Sequence, residues 1–137
     1  MAIKPVGLDH IVLRTADAAR MERFYCEVLG CTVERRRPDL GLIHLRAGRA
    51  LIDLVTLDGP LGRKGGKGPE AEGRNLDHLC IRIDPFDAEA IVTHLFSSGV
   101  DAGEIANRFG ADGHGPSMYV RDPDGNTVEL KGPPEEG

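Results

Sequence analysis

Tryptophan is absent from this 137-residue chain, and four Phe with two Tyr bring the aromatic share to only 4%. Lys and Arg number 17 against 22 Asp and Glu, a net charge of −5. Without a surplus of cations or a set of stacking rings, the chain lacks the surface that nucleic acids bind. Long apolar runs are missing too: no stretch nears the roughly 18 residues of a membrane span, and MAIKPVGLDH at the start has no apolar signal core. A soluble protein with a cytoplasmic address, and no membrane partner, is expected. Cys26, Cys31 and Cys80 are an odd set without CxxC spacing, which argues against a disulfide framework and a thiolate zinc site. Glycine is abundant instead, 18 residues with no collagen-like period, in a chain whose 40% apolar content suits one domain with an aliphatic core.

Self-similarity organises the rest. LDHIVLR at 8–14 returns as LDHLCIR at 76–82, half the chain later. Both copies alternate as strands do, with His10, Val12 and Arg14 on one face and Ile11 and Leu13 on the other, then His78, Cys80 and Arg82 against Leu79, Ile81 and Ile83. Thr15 or Asp17 opens a helix over about 17–29 that stops at Gly30, and Pro85 with Asp87 opens a second that stops at Gly99. Strands are expected at 32–37, 42–47 and 50–57, and a hairpin from PSMYVRD and NTVELK around the tight turn at 122–126. Segment 100–109 has no clear pattern. One domain over 1–137 thus divides into a module at about 7–57, a glycine-rich linker at 58–75 and a module at about 76–131. The linker, with Arg63, Lys64, Lys67 and Arg74, suits flexible chain better than an anion clamp, and the tail from Gly132 is expected to fray.

Each half supplies one histidine and one carboxylate at equivalent places: His10 with Asp53, and His78 with Glu129. An acid alternating with apolar neighbours on a strand needs a partner, and a divalent ion shared with two imidazoles is one. Two imidazoles and two carboxylates would leave positions open for a chelating small-molecule substrate. Taken singly, each of the four is better explained by core packing or an ordinary ion pair; their recurrence favours a metal site.

The pattern LDHIVLR, FYCEVLGCTVE and ALIDLV, followed by LDHLCIR and YVRDPDGNTVE, resembles the vicinal oxygen chelate superfamily, which includes glyoxalase I, fosfomycin and bleomycin resistance proteins, methylmalonyl-CoA epimerase and extradiol dioxygenases. The resemblance implies an α+β fold in which two βαβββ modules form a cupped mixed β-sheet with helices outside, commonly as a homodimer. It also implies His10, His78 and Glu129 as metal positions, with Asp53 where glyoxalase I has a glutamate, either as a fourth ligand or as a base. Tyr119 matches a substrate-contacting tyrosine, and His114 stands near the place of an acid/base histidine in extradiol dioxygenases. His44 and Cys80 suit ordinary packing. The function implied first is a metal-dependent lyase or isomerase resembling glyoxalase I, using Zn, Ni, Mn, Fe or Co, with proton transfer by Glu129 or Asp53. The alternatives are an Fe(II) ring-cleaving dioxygenase and a non-catalytic ligand-sequestering protein of the bleomycin-resistance type.

Overall fold

Asp17 caps the first helix by accepting the Arg20 N–H at 3.0 Å, and Thr15 Oγ1 accepts the Asp17 N–H at 3.1 Å. The helix is shorter than its apolar spacing suggests. After α1 (Ala18–Arg23) the chain widens into a π turn at Phe24–Val28. The widened turn brings Met21, Phe24 and Tyr25 together inside, the two rings meeting edge to face at 5.2 Å. Asp87 caps α2 (Ala88–Ser97) in the same manner through the Ala90 N–H, and Gly99 at φ +73° ends it.

The computed structural model describes residues 2–135. The chain forms two compact units, Met1–Glu70 and Ala71–Gly137. In the first, β1 (His10–Thr15), α1, β2 (Thr32–Arg37), β3 (Leu42–Ala47) and β4 (Ala50–Thr56) give a four-stranded sheet in the order β1-β4-β3-β2. In the second, β5 (Leu79–Arg82), α2, β6 (Ala106–Gly110), β7 (Gly113–Arg121) and β8 (Thr127–Lys131) give the order β5-β8-β7-β6. Each unit is therefore βαβββ with the same topology, its opening strand parallel to its closing one. β6 fills the segment that the sequence pattern left open, because Asn107 to Phe109 alternate only weakly in hydropathy.

Two turns determine what faces what. Gly48 at φ +62° and Arg49 make a two-residue hairpin between Ala47 and Ala50, so His44 lies opposite Asp53. In the second unit Asp122 holds the turn at 122–126, its Oδ1 accepting the Asp124 and Asn126 N–H groups at 2.9 Å each. That turn sets Tyr119 opposite Glu129. Leu13, Leu45, Leu54, Met118 and Val128, all fully buried, belong to the sheet cores.

The start of the expected flexible linker is instead held in place. A 3-10 turn at Gly62–Gly65 lies under Arg14, whose guanidinium donates to the carbonyls of Gly62 at 3.3 Å, Gly66 at 3.0 Å and Lys67 at 2.7 Å. Glycine is required here by closeness rather than by mobility. A Cβ on Gly62 would lie 1.8 Å from the Thr56 carbonyl oxygen, and one on Gly65 would lie 2.2 Å from Arg14 Nη1. The tail is tied down as well: the Gly132 N–H bonds the Pro116 carbonyl at 2.8 Å and the Glu135 N–H bonds that of His114 at 3.0 Å. Its last two residues lie outside the described residues.

Gly62→Ala is expected to lower unfolding free energy by about 2 kcal/mol or more in urea titration, the class of loss that follows a forced backbone shift. Lys64→Ala, on the exposed side of the same turn, is expected to stay within about 0.5 kcal/mol of the parent.

Candidate metal and proton-transfer site

A carboxylate buried without a partner is costly, and the chain buries two in mid-strand, Asp53 and Glu129. Each meets a histidine of its own unit, His10 at the start of the neighbouring parallel strand β1 and His78 immediately before β5. His10 Nε2 stands 4.0 Å from Asp53 Oδ2, and His78 Nε2 stands 3.3 Å from Glu129 Oε1. Alternation along β1 and β5 puts these imidazoles on the carboxylate faces of the two sheets, as their place in the repeat predicts.

The other ring nitrogen has a partner that the sequence reading passed over. His10 Nδ1 lies 2.7 Å from Asp9 Oδ1, and His78 Nδ1 lies 2.6 Å from Asp77 Oδ1. An imidazole that donates its Nδ1–H to a carboxylate presents its Nε2 lone pair to the second, buried carboxylate. Two lone pairs facing one another call for a proton or a cation between them. Acceptor on one side and orienting carboxylate on the other is the arrangement that metal-ligating histidines adopt, and mixed imidazole and carboxylate donors suit Zn, Ni, Mn, Fe or Co. The donor chemistry thus fits a divalent ion. Among the described residues no three or more His, Cys, Asp or Glu side chains form a metal-holding group; His10 with Asp53 and His78 with Glu129 are two-residue sets. The Asp9 hydrogen bond, with the Asp53 charge behind it, raises the His10 pKa, and the His78 contact lowers that of Asp77.

The second position of each pair differs between the units. Opposite Asp53 is His44, whose Nδ1 is 2.8 Å from Asp53 Oδ1, so this histidine is a partner of the buried acid rather than packing. Opposite Glu129 is Tyr119, whose ring meets the His78 ring edge-on at 5.7 Å. His44 could have been found in the sequence by pairing ALIDLV with LIHLRA around Gly48. His114 lies five residues before Tyr119 on an unbroken strand, so it projects from the opposite face, against Phe109 at 5.1 Å. It does not join Tyr119. Cys80 is beside Glu129 in register; burial, then the Glu129 charge, pushes its thiol up to about 11, which leaves it protonated at neutral pH.

Comparison with known proteins agrees with this arrangement of strands. The sequence profile of the Glyoxalase/Bleomycin resistance protein/Dioxygenase superfamily matches residues 7–130. A virulence protein of Salmonella typhimurium is 30% identical over 125 residues, 90% of this chain and 81% of that protein. Its crystal structure superposes with a TM-score of 0.78 at 27% identity, covering 98% of this chain and 100% of that one. The uncharacterized protein YaeR of Escherichia coli is 32% identical over 135 residues, 90% of this chain and 93% of that protein. At the level of fold, the crystal structure of a lactoylglutathione lyase from Agrobacterium tumefaciens gives a TM-score of 0.66 at 21% identity, over 93% of this chain and 94% of that one.

A raised thiol pKa makes Cys80 a poor nucleophile despite its exposure. Alkylation of Cys80 by iodoacetamide at pH 7.5, followed by peptide mass spectrometry, is expected to run about tenfold or more slower than that of free cysteine, and to accelerate as pH rises toward 11.

Proposed function

Because the chain belongs to the Glyoxalase/Bleomycin resistance protein/Dioxygenase superfamily, we propose that it is a metal-dependent lyase or isomerase of the glyoxalase I kind, acting on a small substrate chelated through vicinal oxygens. The observation that carries this reading is the duplicated pair in which an aspartate-braced imidazole turns Nε2 toward a buried strand carboxylate. His10, His78 and Glu129 would hold the ion. Such an ion, when bound, supplies the positive charge that acidifies a C–H next to a chelated carbonyl.

The rest falls to the chain's own side chains. Asp53 commits Oδ1 to His44, which suits proton transfer better than direct coordination. Its charge fixes His44 with Nδ1–H toward the acid and Nε2 as the basic atom, and it supports the imidazolium formed when that atom takes a proton. Glu129 and Asp53 are the carboxylates on which the transfer depends. Tyr119 braces the His78 ring and carries a hydroxyl on the same strand face as Glu129, where it contacts substrate. Ring cleavage by iron would draw on a histidine beside Tyr119, and His114 projects from the other face, so the lyase or isomerase reading is preferred.

Elemental analysis of protein purified anaerobically without a metal-affinity step is expected to find stoichiometric nickel, zinc, cobalt or manganese. His78→Ala should strip that metal. Asp53→Asn should keep it while lowering solvent-deuterium wash-in, across a panel of small α-hydroxy ketones and thiohemiacetals, by about 100-fold or more. Iron with oxygen uptake on catechols would establish the dioxygenase instead, and a metal-free protein would establish sequestration. Full wash-in by Asp53→Asn would remove the proton-transfer role.

A further inference from the structure

Two side chains meet the Tyr119 ring. The His78 ring stands edge-on to it, with 5.7 Å between centres and 87° between planes. The Arg108 guanidinium lies over its face, the central carbon 4.6 Å from the ring centre. Arg108 stands opposite Gly115 in the β6–β7 ladder, and strand alternation puts Gly115, Ser117 and Tyr119 on one face of β7. The arginine side chain follows that face past Ser117 to the ring, which is itself opposite Glu129.

The arginine is held in turn. Its Nη1 donates to the Ser117 carbonyl at 2.7 Å and to Ser117 Oγ at 2.9 Å, and Ser117 is completely buried in the β7–β8 ladder. Among the described residues no carboxylate pairs with Arg108, so Ser117 and the ring are what fix it. An aromatic side chain on a half-open strand face is free to change rotamer unless a neighbour holds it. A guanidinium anchored along one edge is suited to that task, because its plane stacks on a ring where a compact ammonium does not. Its charge also draws electron density from the phenol, which makes the O–H a stronger donor.

We propose that Arg108 is a positioning residue: anchored by Ser117, it fixes the Tyr119 ring against His78, so that the Tyr119 hydroxyl is presented to the substrate as a hydrogen-bond donor. The part played toward substrate rests on the lyase or isomerase reading; the clamp on the ring does not. Arg108 acts through Tyr119 and not on the substrate, so loss of the cation and loss of the hydroxyl fall on the same step.

The test uses the full chain, whose two tyrosines and lack of tryptophan leave Tyr25, fully buried in the other unit, as the internal reference for Tyr119. In NMR of ring-labelled tyrosine, Arg108→Met is expected to move the Tyr119 ring signals toward those of free tyrosine and to weaken their cross-relaxation with the His78 ring. Tyr25 keeps its parent shifts. Arg108→Lys should resemble Arg108→Met, and Ser117→Ala, which removes one of two anchors, should fall between it and the parent. Where Tyr25 moves as well, Ser117→Ala and Arg108→Lys decide by the same comparison. In the metal-loaded protein Arg108→Met should lower kcat for deuterium wash-in about tenfold at unchanged KM and metal content, and added to Tyr119→Phe it should lower kcat by no more than about twofold further. Parent-like Tyr119 signals in Arg108→Met, or an equal loss of turnover with and without the Tyr119 hydroxyl, would overturn the positioning role. A rise in KM alone would overturn it too, by placing Arg108 on the substrate. A parent without wash-in on any substrate would remove the lyase or isomerase reading alone, and the ring signals would still decide the clamp.

Discussion

Strand register is the constraint on which the site depends. A slip of one residue in either closing hairpin would turn Asp53 or Glu129 into an aliphatic core and bring Ile52 or Val128 out to meet the histidines. Two local devices prevent it. In the first unit a glycine in the left-handed region permits a two-residue turn, and in the second an aspartate satisfies the backbone of a longer one. The chemistry is thus specified by turns that carry no chemistry themselves, and the cross-strand neighbours of the acids, His44 and Tyr119, follow from the same registers.

Topology repeats between the units more faithfully than the side chains do. Parallel pairing of the first and last strand brings an imidazole to a carboxylate twice. The middle strand then differs, offering a second imidazole to Asp53 and an aromatic ring to His78. A duplicated scaffold of this kind separates duties. One carboxylate is held by an imidazole on either side, whereas the other keeps a single imidazole that a ring supports from the side. Lys131 of the second sheet has no counterpart at the matching position of the first, where Val55 follows Asp53 by two residues.

Periodicity and repetition made most of the fold legible. The LDH repeats, the caps Asp17 and Asp87, the stops Gly30 and Gly99 and the closing hairpin could all be read, because each is a local rule of alternation, capping or turn chemistry. The pairing of His10 with Asp53 and of His78 with Glu129 was legible for the same reason, since equal position in a repeat implies equal position on a strand. Three things escaped. β6 was missed because Asn107-Arg-Phe109 follows no alternation. The π turn was missed because its apolar spacing equals that of an ordinary helix. The Arg14 contacts were missed because they join residues some fifty positions apart through backbone carbonyls, which no residue type announces. Lys131 looks like a surface charge in sequence, whereas the fold buries it.

The glycines divide into two kinds. Some, such as Gly48 and Gly125, sit at positive φ with open space around them, and there the demand is conformational. Others, such as Gly62 and Gly115, leave no space for a Cβ, because a backbone carbonyl, of Thr56 at 1.8 Å and of Pro133 at 2.5 Å, already fills the volume. The first kind tolerates asparagine; the second tolerates nothing. Drift through single substitutions is therefore blocked hardest at the contacts where one segment of backbone leans against another, even inside the glycine-rich segment that looks most permissive in sequence.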